Sequence, residues 1–135
     1  MELLMKSVSS NEAPAAIGPY SQAVDLGSVI YLSGQIGADP VTGKLVSGFE
    51  AQTMQALCNV RAVLAACGLD FDNVPSVDIY LTDMSMFKKL NEVYSEFFPK
   101  NKPARLAIEV KGLPAGAEIE IRCVAYRNGA CDVVA

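Results

Sequence analysis

The sequence predicts an α+β fold in which two helices cover one face of a mostly antiparallel sheet. Two segments repeat apolar residues at helical spacing, and shorter apolar segments between turn residues are typical of strands. The chain has 135 residues, which suits one domain with a sizeable core, residues 1–135. The predicted order is β-β-β-α-β-α-β-β.

The first three strands are predicted at residues 3–8, 21–26 and 29–33. The second and third are joined by a turn at Gly27-Ser28, and residues 11–19 form a loop rich in Ala, Pro and Gly. Residues 34–47 are expected to be an irregular loop, because they contain turn residues throughout: Gly37, Asp39-Pro40 and Thr42-Gly43.

The first helix is predicted to begin at a capping box formed by Ser47 and Glu50. One stripe of apolar or small residues then recurs at helical spacing, and Gly68 supplies a left-handed end to the helix. The stripe consists of Thr53, Ala56, Leu57, Val60, Val63, Leu64 and Cys67.

The second half of the chain alternates strand, helix and two strands. Residues 74–81 are a predicted strand, and Asp83 or Ser85 can cap a helix that Pro99 stops. Residues 106–110 and 118–126 are the last two strands. Both helices are expected on one sheet face, so the other face is free for a partner. The 51% hydrophobic content of so short a chain favours an oligomer.

Composition excludes several classes of function. The net charge is −4 and the basic residues are scattered, which weighs against nucleic-acid binding. Histidine is absent, and the spacing of Cys58, Cys67, Cys123 and Cys131 fits neither a zinc site nor a disulfide framework. No cofactor or metal is therefore expected. Residues 1–11 resemble no signal or transit peptide, and no apolar run could span a membrane, so a cytoplasmic location is expected.

Residues 102–121 hold the strongest candidate for chemistry. If the last two strands form a hairpin, Leu106, Ile108 and Val110 share a face with Ile119, Ile121 and Cys123. The other face then carries Arg105, Ala107 and Glu109, opposite Glu118, Glu120 and Arg122. If Ala107 pairs with Glu120, Arg105 is a diagonal neighbour of Glu120. Such a pattern can place a guanidinium and a carboxylate beside one small residue. Alternating charges are also typical of a solvated hairpin face, so the pattern alone leaves both interpretations open.

Other polar residues carry similar alternatives. Asn91 lies near the apolar stripe of the second helix, where an amide is usually a boundary residue with its hydrogen bonds satisfied. Residues 18–21, with Tyr20, are most simply a turn entering a strand, and Ser33-Gly34-Gln35 are most simply the end of one.

A resemblance to a known family favours the functional interpretation. Residues 13–23, Ala-Pro-Ala-Ala-Ile-Gly-Pro-Tyr-Ser-Gln-Ala, resemble the N-terminal signature of the Rid family, the reactive intermediate deaminases, also called the YjgF/YER057c/UK114 family. Further blocks match in order: Ser33-Gly34-Gln35-Ile36, Gln52-Thr53, Asn59, residues 64–68, Asn91-Glu92-Val93-Tyr94, Pro103-Ala104-Arg105, Leu113-Pro114 and Ile119-Glu120-Ile121. Together they cover nearly the whole chain.

The resemblance to the RidA-like branch implies a fold similar to chorismate mutase and a homotrimer with sites between subunits. It implies a 2-iminobutanoate/2-iminopropanoate deaminase, which hydrolyses 2-imino acids and their enamine tautomers to 2-oxo acids and ammonia. On this resemblance Arg105 binds the substrate carboxylate and Glu120 holds or activates water. Tyr20, Ser33, Gly34 and Asn91 shape the pocket, and the Ala107 carbonyl faces the imine nitrogen.

The chain departs from the family pattern at three positions and at its end. Arg122 stands where a second glutamate is frequent, Lys102 where an aromatic is frequent, and Ala107 where some members have cysteine. Arg122 could strengthen carboxylate binding or compete with Arg105 for Glu120. Residues 128–135 match no family signature. Two other functions remain open: a non-enzymatic metabolite-binding or chaperone-like trimer, and an RNA-cleaving translation inhibitor.

Overall fold

The computed structural model describes residues 5–127 and has the predicted α+β architecture with one additional strand. Residues 3 and 4 of the first predicted strand, and the tail with Cys131, lie outside the described residues. The helices are α1 (Phe49–Ala66) and α2 (Phe87–Phe97). The strands are β1 (Lys6–Val8), β2 (Ala23–Asp25), β3 (Val29–Leu32), β4 (Gln35–Ile36), β5 (Ser76–Leu81), β6 (Ala104–Glu109) and β7 (Ile119–Tyr126).

The strands form one mixed sheet in the order β1-β2-β3-β7-β5-β6, and β4 also pairs with β7. Every pairing is antiparallel except that of β5 with β6, which run parallel because α2 carries the chain back across the sheet between them. The long strand β7 is central and β6 lies at an edge. The short strand β4 falls inside the segment 34–47 that was predicted to be irregular throughout.

The predicted hairpin of the last two strands is wrong. Strand β5 lies between β6 and β7, so Ala107 pairs with Ile79 and not with Glu120. The predicted faces are wrong as well, because Leu106 and Ile108 point away from the helices and are exposed. The local pattern showed two strands but could not show that β5 is inserted between them.

Helix α1 begins differently from the prediction and ends as predicted. Its N-cap is Gly48, at φ 95°, and no side chain caps the first turn, so Ser47 does not form the capping box. At the other end Gly68 adopts φ 75° and its N–H donates to Ala65 O at 3.0 Å. The N–H of Leu69 donates to Leu64 O at 2.9 Å, which completes a Schellman motif.

Helix α2 is entered through a short 3-10 turn, Met84–Met86, whose first residue follows Asp83. The Asp83 carboxylate accepts a hydrogen bond from the Ser85 N–H at 3.0 Å and so caps this turn. The N-cap of α2 itself is Met86, without a side-chain hydrogen bond, so the prediction that Asp83 or Ser85 caps the helix is wrong. The helix ends at Phe97, two residues before Pro99, as expected for a residue that cannot donate to the helix ladder.

Both helices lie on the same face of the sheet and bury its apolar side chains. The core joins fully buried residues of the strands and helices, among them Ile30, Leu32, Ile79, Leu81, Ile119, Ile121, Leu57, Val60, Leu64 and Leu90. The opposite sheet face carries exposed large apolar side chains: Tyr31, Leu106, Ile108 and Tyr126. No helix within residues 5–127 is both long and apolar enough to cross a membrane.

Candidate functional site

Glu120 lies on β7 where that strand pairs with the short strand β4. Its Cα partners are Ile36 of β4 and Tyr80 of β5. Because Ile119 and Ile121 point into the core, Glu120 points away from the helices. The carboxylate therefore emerges on the sheet face that the helices leave uncovered, at the end next to β4.

Gly34 allows the backbone to approach the Glu120 side chain closely. A Cβ atom added at Gly34 would lie 2.9 Å from Cδ of Glu120 and 3.1 Å from its Oε2. The segment is held in place by helix α1, where the Asn59 amide donates to Ile36 O at 3.1 Å and to Ala38 O at 2.9 Å. The absence of a side chain at position 34 thus lets the carboxylate lie against the main chain.

The loop before β2 and the end of β3 contribute the other residues near Glu120. The Tyr20 hydroxyl accepts a hydrogen bond from the Ile17 N–H at 3.4 Å, and the Tyr20 side chain is about half exposed. The Ser33 hydroxyl donates to Ser21 O at 2.6 Å. Gln22 is buried, and its amide group fixes the loop by donating to Pro14 O at 2.8 Å.

These residues line two adjoining open cavities. The first, of about 560 Å³, contains Glu120 and Arg122 together with Ile17, Tyr20, Ser21, Val24, Tyr31, Leu32, Ser33, Gly34 and Pro114. The second, of about 480 Å³, shares five of these residues with the first: Ile17, Tyr20, Gly34, Pro114 and Glu120. Both have the size of a small-molecule site. The structure therefore brings together four of the residues predicted from the sequence: Tyr20, Ser33, Gly34 and Glu120.

The electrostatic state of Glu120 is set by its half-buried position. Burial raises the pKa of the Glu120 carboxyl, because removing the ionised form from water is unfavourable. Arg122 lies in the same cavity, but its Nε donates to Leu32 O at 3.0 Å, and no salt bridge joins it to Glu120 within the described residues. A carboxyl with a raised pKa in a cleft is typical of a group that exchanges protons.

Arg105 lies elsewhere, on the edge strand β6 and on the helix side of the sheet. It pairs with Val77, whose side chain is buried in the core. Its guanidinium carbon lies 4.8 Å from the centroid of the Tyr94 ring and 5.5 Å from that of Phe87, both on α2. Arg105 forms no salt bridge with any described residue. The Arg105 guanidinium is therefore exposed at the edge of the sheet.

The other predicted residues lie on the Arg105 side. Ala107 follows two positions later on β6, faces the same way and is half-buried. Asn91 is half-buried on α2, one turn after Phe87. Lys102 extends its ammonium group to Phe98 O at 3.3 Å, which ties the segment before β6 to the end of α2. The predicted site residues therefore fall into two separate groups, which we name the Glu120 half-site and the Arg105 half-site.

Sequence reasoning missed several residues of these half-sites. Ile17 and Pro114 line the Glu120 cavities, and Phe87 and Tyr94 contact Arg105. The seven-residue spacing of Phe87 and Tyr94 placed both rings on one helix face. It could not show that Arg105 of β6 lies against that face. Within residues 5–127, no cluster of three or more His, Cys, Asp or Glu could hold a metal ion, and the cysteines of that segment form no disulfide.

Comparison with known proteins gives consistent matches over nearly the whole chain. The sequence model of the family described as endoribonuclease L-PSP matches residues 10–127. The human 2-iminobutanoate/2-iminopropanoate deaminase is 48% identical over 127 residues, which are 93% of each chain. A RutC family protein of Aquifex aeolicus is 46% identical over 125 residues, 91% of this chain and 100% of that protein. The crystal structure of E. coli TdcF with bound serine superposes with a TM-score of 0.88 at 38% identity, covering 90% of this chain and 98% of TdcF.

Proposed function

Because this chain belongs to the Rid family, whose sequence model is described as endoribonuclease L-PSP, we propose that it is a 2-imino acid deaminase. Its substrates are 2-iminobutanoate, 2-iminopropanoate and their enamine tautomers, and its products are 2-oxo acids and ammonia. The observation that carries the proposal is a half-buried glutamate with a raised pKa, Glu120, in a cavity beside Tyr20, Ser33 and Gly34. The human relative of that name supports the same activity.

We propose further that the complete site forms between subunits of a homotrimer. Arg105 and Glu120 belong to different half-sites on opposite faces of one sheet, so one chain cannot bring them to one small substrate. The exposed apolar side chains Tyr31, Leu106 and Ile108 supply a surface that a second copy can cover. A head-to-tail ring then joins the Arg105 half-site of one copy to the Glu120 half-site of its neighbour.

In such a site Arg105 binds the carboxylate common to all 2-imino acids. A guanidinium presents two parallel N–H groups, which match the two carboxylate oxygens and fix the orientation of the substrate. The relative TdcF has been crystallised with bound serine, an amino acid that carries the same α-carboxylate. The small side chain of Ala107 leaves space for the substrate beside its bound carboxylate. The Asn91 amide is available to polarise the substrate.

Glu120 then acts on the water that attacks the iminium carbon. The carboxylate accepts a proton as the water oxygen bonds to carbon, and the C=N double bond becomes the single bond of a carbinolamine. The carboxylic acid returns that proton to the amine nitrogen. The C–N bond then breaks as the carbinolamine hydroxyl gives its proton to the Glu120 carboxylate and forms the C=O bond of the 2-oxo acid. The departing ammonia takes up that proton and leaves as ammonium, which restores the carboxylate. An iminium carbon is already electrophilic, so positioning and oriented dipoles supply the acceleration without a stronger nucleophile.

A coupled assay tests this function. Threonine dehydratase generates 2-iminobutanoate, and the release of 2-oxobutanoate is followed with and without the protein, since unaided hydrolysis sets the background. We expect the wild-type protein to accelerate release and Glu120→Gln to lower turnover far more than binding of the product. An unaccelerated background rate with wild-type protein, or wild-type turnover by the variant, contradicts the proposal.

The same preparation decides between the alternative functions. An RNA-cleaving activity is tested on single-stranded RNA, although the chain has no histidine and a net charge of −4. Binding of 2-oxobutanoate without accelerated hydrolysis would instead indicate a metabolite-binding trimer. We also propose a cytoplasmic location, because a short-lived imine must be met in the compartment where pyridoxal-phosphate enzymes acting on serine or threonine release it.

A further inference from the structure

The guanidinium of Arg105 is held by aromatic rings and not by a carboxylate. Its carbon lies 4.8 Å from the centroid of Tyr94 and 5.5 Å from that of Phe87, distances typical of cation–π contacts. Neither a salt bridge nor a side-chain hydrogen bond joins Arg105 to another residue of the segment 5–127. A long and flexible side chain thus depends on two rings for its position.

The two rings differ in how firmly they are fixed. Tyr94 is 9% exposed and stacks on the buried ring of Phe98, with centroids 4.6 Å apart. Phe98 in turn contacts Phe71 edge to face at 4.9 Å. Phe87 lies two helical turns before Tyr94 on α2 and is 37% exposed. The Tyr94 ring is therefore fixed by its packing in the core, whereas the Phe87 ring lies at the surface.

Contact through the ring faces has a chemical consequence for the arginine. A cation–π contact holds a guanidinium through its charge and not through its N–H groups, which in Arg105 make no side-chain hydrogen bond within residues 5–127. An ion pair with a glutamate would orient the side chain equally well but would occupy those donors. The rings therefore orient the fork without competing for the carboxylate that it is to bind.

We propose that Phe87 and Tyr94 are positioning residues that pre-orient the Arg105 fork for the carboxylate of the substrate. This inference rests on the proposed function, because it takes a 2-imino acid as the ligand of Arg105. Pre-orientation lowers the entropy lost when the carboxylate is bound. It acts on the bound substrate and the transition state alike, so its loss raises KM and leaves kcat unchanged.

Phe87→Leu is the decisive variant, because leucine keeps an apolar, helix-forming side chain at a surface position and removes only the ring. We expect KM for 2-iminobutanoate to rise about two- to fivefold, the effect of one exposed cation–π contact, with kcat unchanged. Phe87→Tyr restores the ring and should restore KM. If the ring served only folding, part of the protein would be inactive, and kcat would fall at constant KM.

A second measurement reports on Arg105 without turnover. Nitrogen-15 NMR of the arginine Nε–H groups should show the Arg105 signal displaced by ring currents, and Phe87→Leu should move it. Arg61, whose guanidinium carbon lies 4.8 Å from the Phe97 centroid and 5.8 Å from that of Phe71, is an arginine held over other rings, and its signal should stay. The proposal is overturned if the Arg105 signal does not move in Phe87→Leu. It is also overturned if that signal moves while KM stays at the wild-type value.

The two proposals fail in different ways. If the wild-type protein does not accelerate imine hydrolysis, the proposed function is wrong, and calorimetric titration with 2-oxobutanoate then tests the positioning role by itself. The same two- to fivefold weakening by Phe87→Leu supports it. Equal dissociation constants for the variant and the wild type, or no binding of 2-oxobutanoate to the wild type, overturn it.

Discussion

Arg105 and Glu120 point to opposite faces of the same β-sheet. Arg105 pairs with Val77, which pairs with Cys123 on β7, and Cys123 is buried under the helices. Glu120 lies three residues before Cys123 on that strand, and an odd separation reverses the face. Two groups that the family resemblance assigns to one substrate are thus separated by the sheet of their own chain.

This separation predicts that neither residue is useful without a second subunit. We expect light scattering at micromolar concentration to give the mass of a trimer. Arg105→Ala and Glu120→Gln should each be nearly inactive alone. When the two variants are unfolded together and refolded in equal amounts, half of the Arg105 half-sites and half of the Glu120 half-sites are intact, so about a quarter of the interfaces are complete.

Recovery of about that fraction of wild-type activity is the expected result, and the two variants mixed without unfolding are the control. A site contained in one chain gives no recovery, since every chain then lacks one of its two groups. A monomeric mass in light scattering would also exclude a site shared between subunits, whatever activity the co-refolded variants recover.

The elements were predictable from sequence because they depend on local pattern. The stripe from Thr53 to Cys67 has helical spacing, and Gly68 ends it through a left-handed conformation, as the structure confirms. The cap of α1 was not predictable, because Ser47 and Glu50 form a favourable pattern, yet Gly48 starts the helix at a positive φ. A capping box needs backbone angles that the pattern does not contain.

The sequence predicted which residues of the candidate site lie together on one side, but it did not predict how Arg105 is arranged relative to them. Tyr20, Ser33, Gly34 and Glu120 lie together, although they come from three separated segments. The relation of Arg105 to Glu120 was mispredicted, because two consecutive strands usually pair and here β5 separates them. Strand order depends on which non-local contacts bury most surface, and the alternation within one strand does not specify it.

Arg105→Lys should be nearly as damaging as Arg105→Ala. Lysine keeps the charge but loses the two-point fork, and losing one charge-assisted hydrogen bond should lower kcat/KM by about tenfold to a hundredfold. Arg61→Lys makes the same change at the other stacked arginine and should keep wild-type kcat/KM. Full activity of Arg105→Lys in the coupled assay would show that only the charge matters, and full activity of Arg105→Ala would remove the carboxylate assignment.

Glu120 predicts a stability difference that depends on pH. Burial raises its pKa in the folded state, so between the ordinary and the raised pKa the folded protein holds more protons than the unfolded chain. The free energy of unfolding therefore falls as pH rises through that window, and the loss is complete above the raised pKa. Glu120→Gln does not titrate, so its Tm should exceed that of the wild type at neutral pH.

Thermal unfolding of both proteins from acid to neutral pH measures this difference. We expect the two Tm values to converge below the ordinary pKa of glutamate, where the wild-type carboxyl is neutral in both states. Glu96→Gln removes the same charge from an exposed position on α2 and controls for a change in net charge. A constant Tm difference across the whole range would mean that burial does not disfavour the ionised Glu120.

Gly34→Ala should abolish most activity while the fold survives. The new methyl group would lie 2.9 Å from Cδ of Glu120, and the flexible end of that side chain can move away at small cost in stability. The carboxylate then leaves its place, and a displacement of about 1 Å can cost on the order of a hundredfold in rate. Gly112→Ala is the matched control, because a Cβ there has no heavy atom within 4 Å and the backbone φ is ordinary. We expect both variants to unfold near the wild-type Tm, with only Gly34→Ala losing turnover. Wild-type kcat in Gly34→Ala would show that the close approach of this glycine to Glu120 is not needed for catalysis.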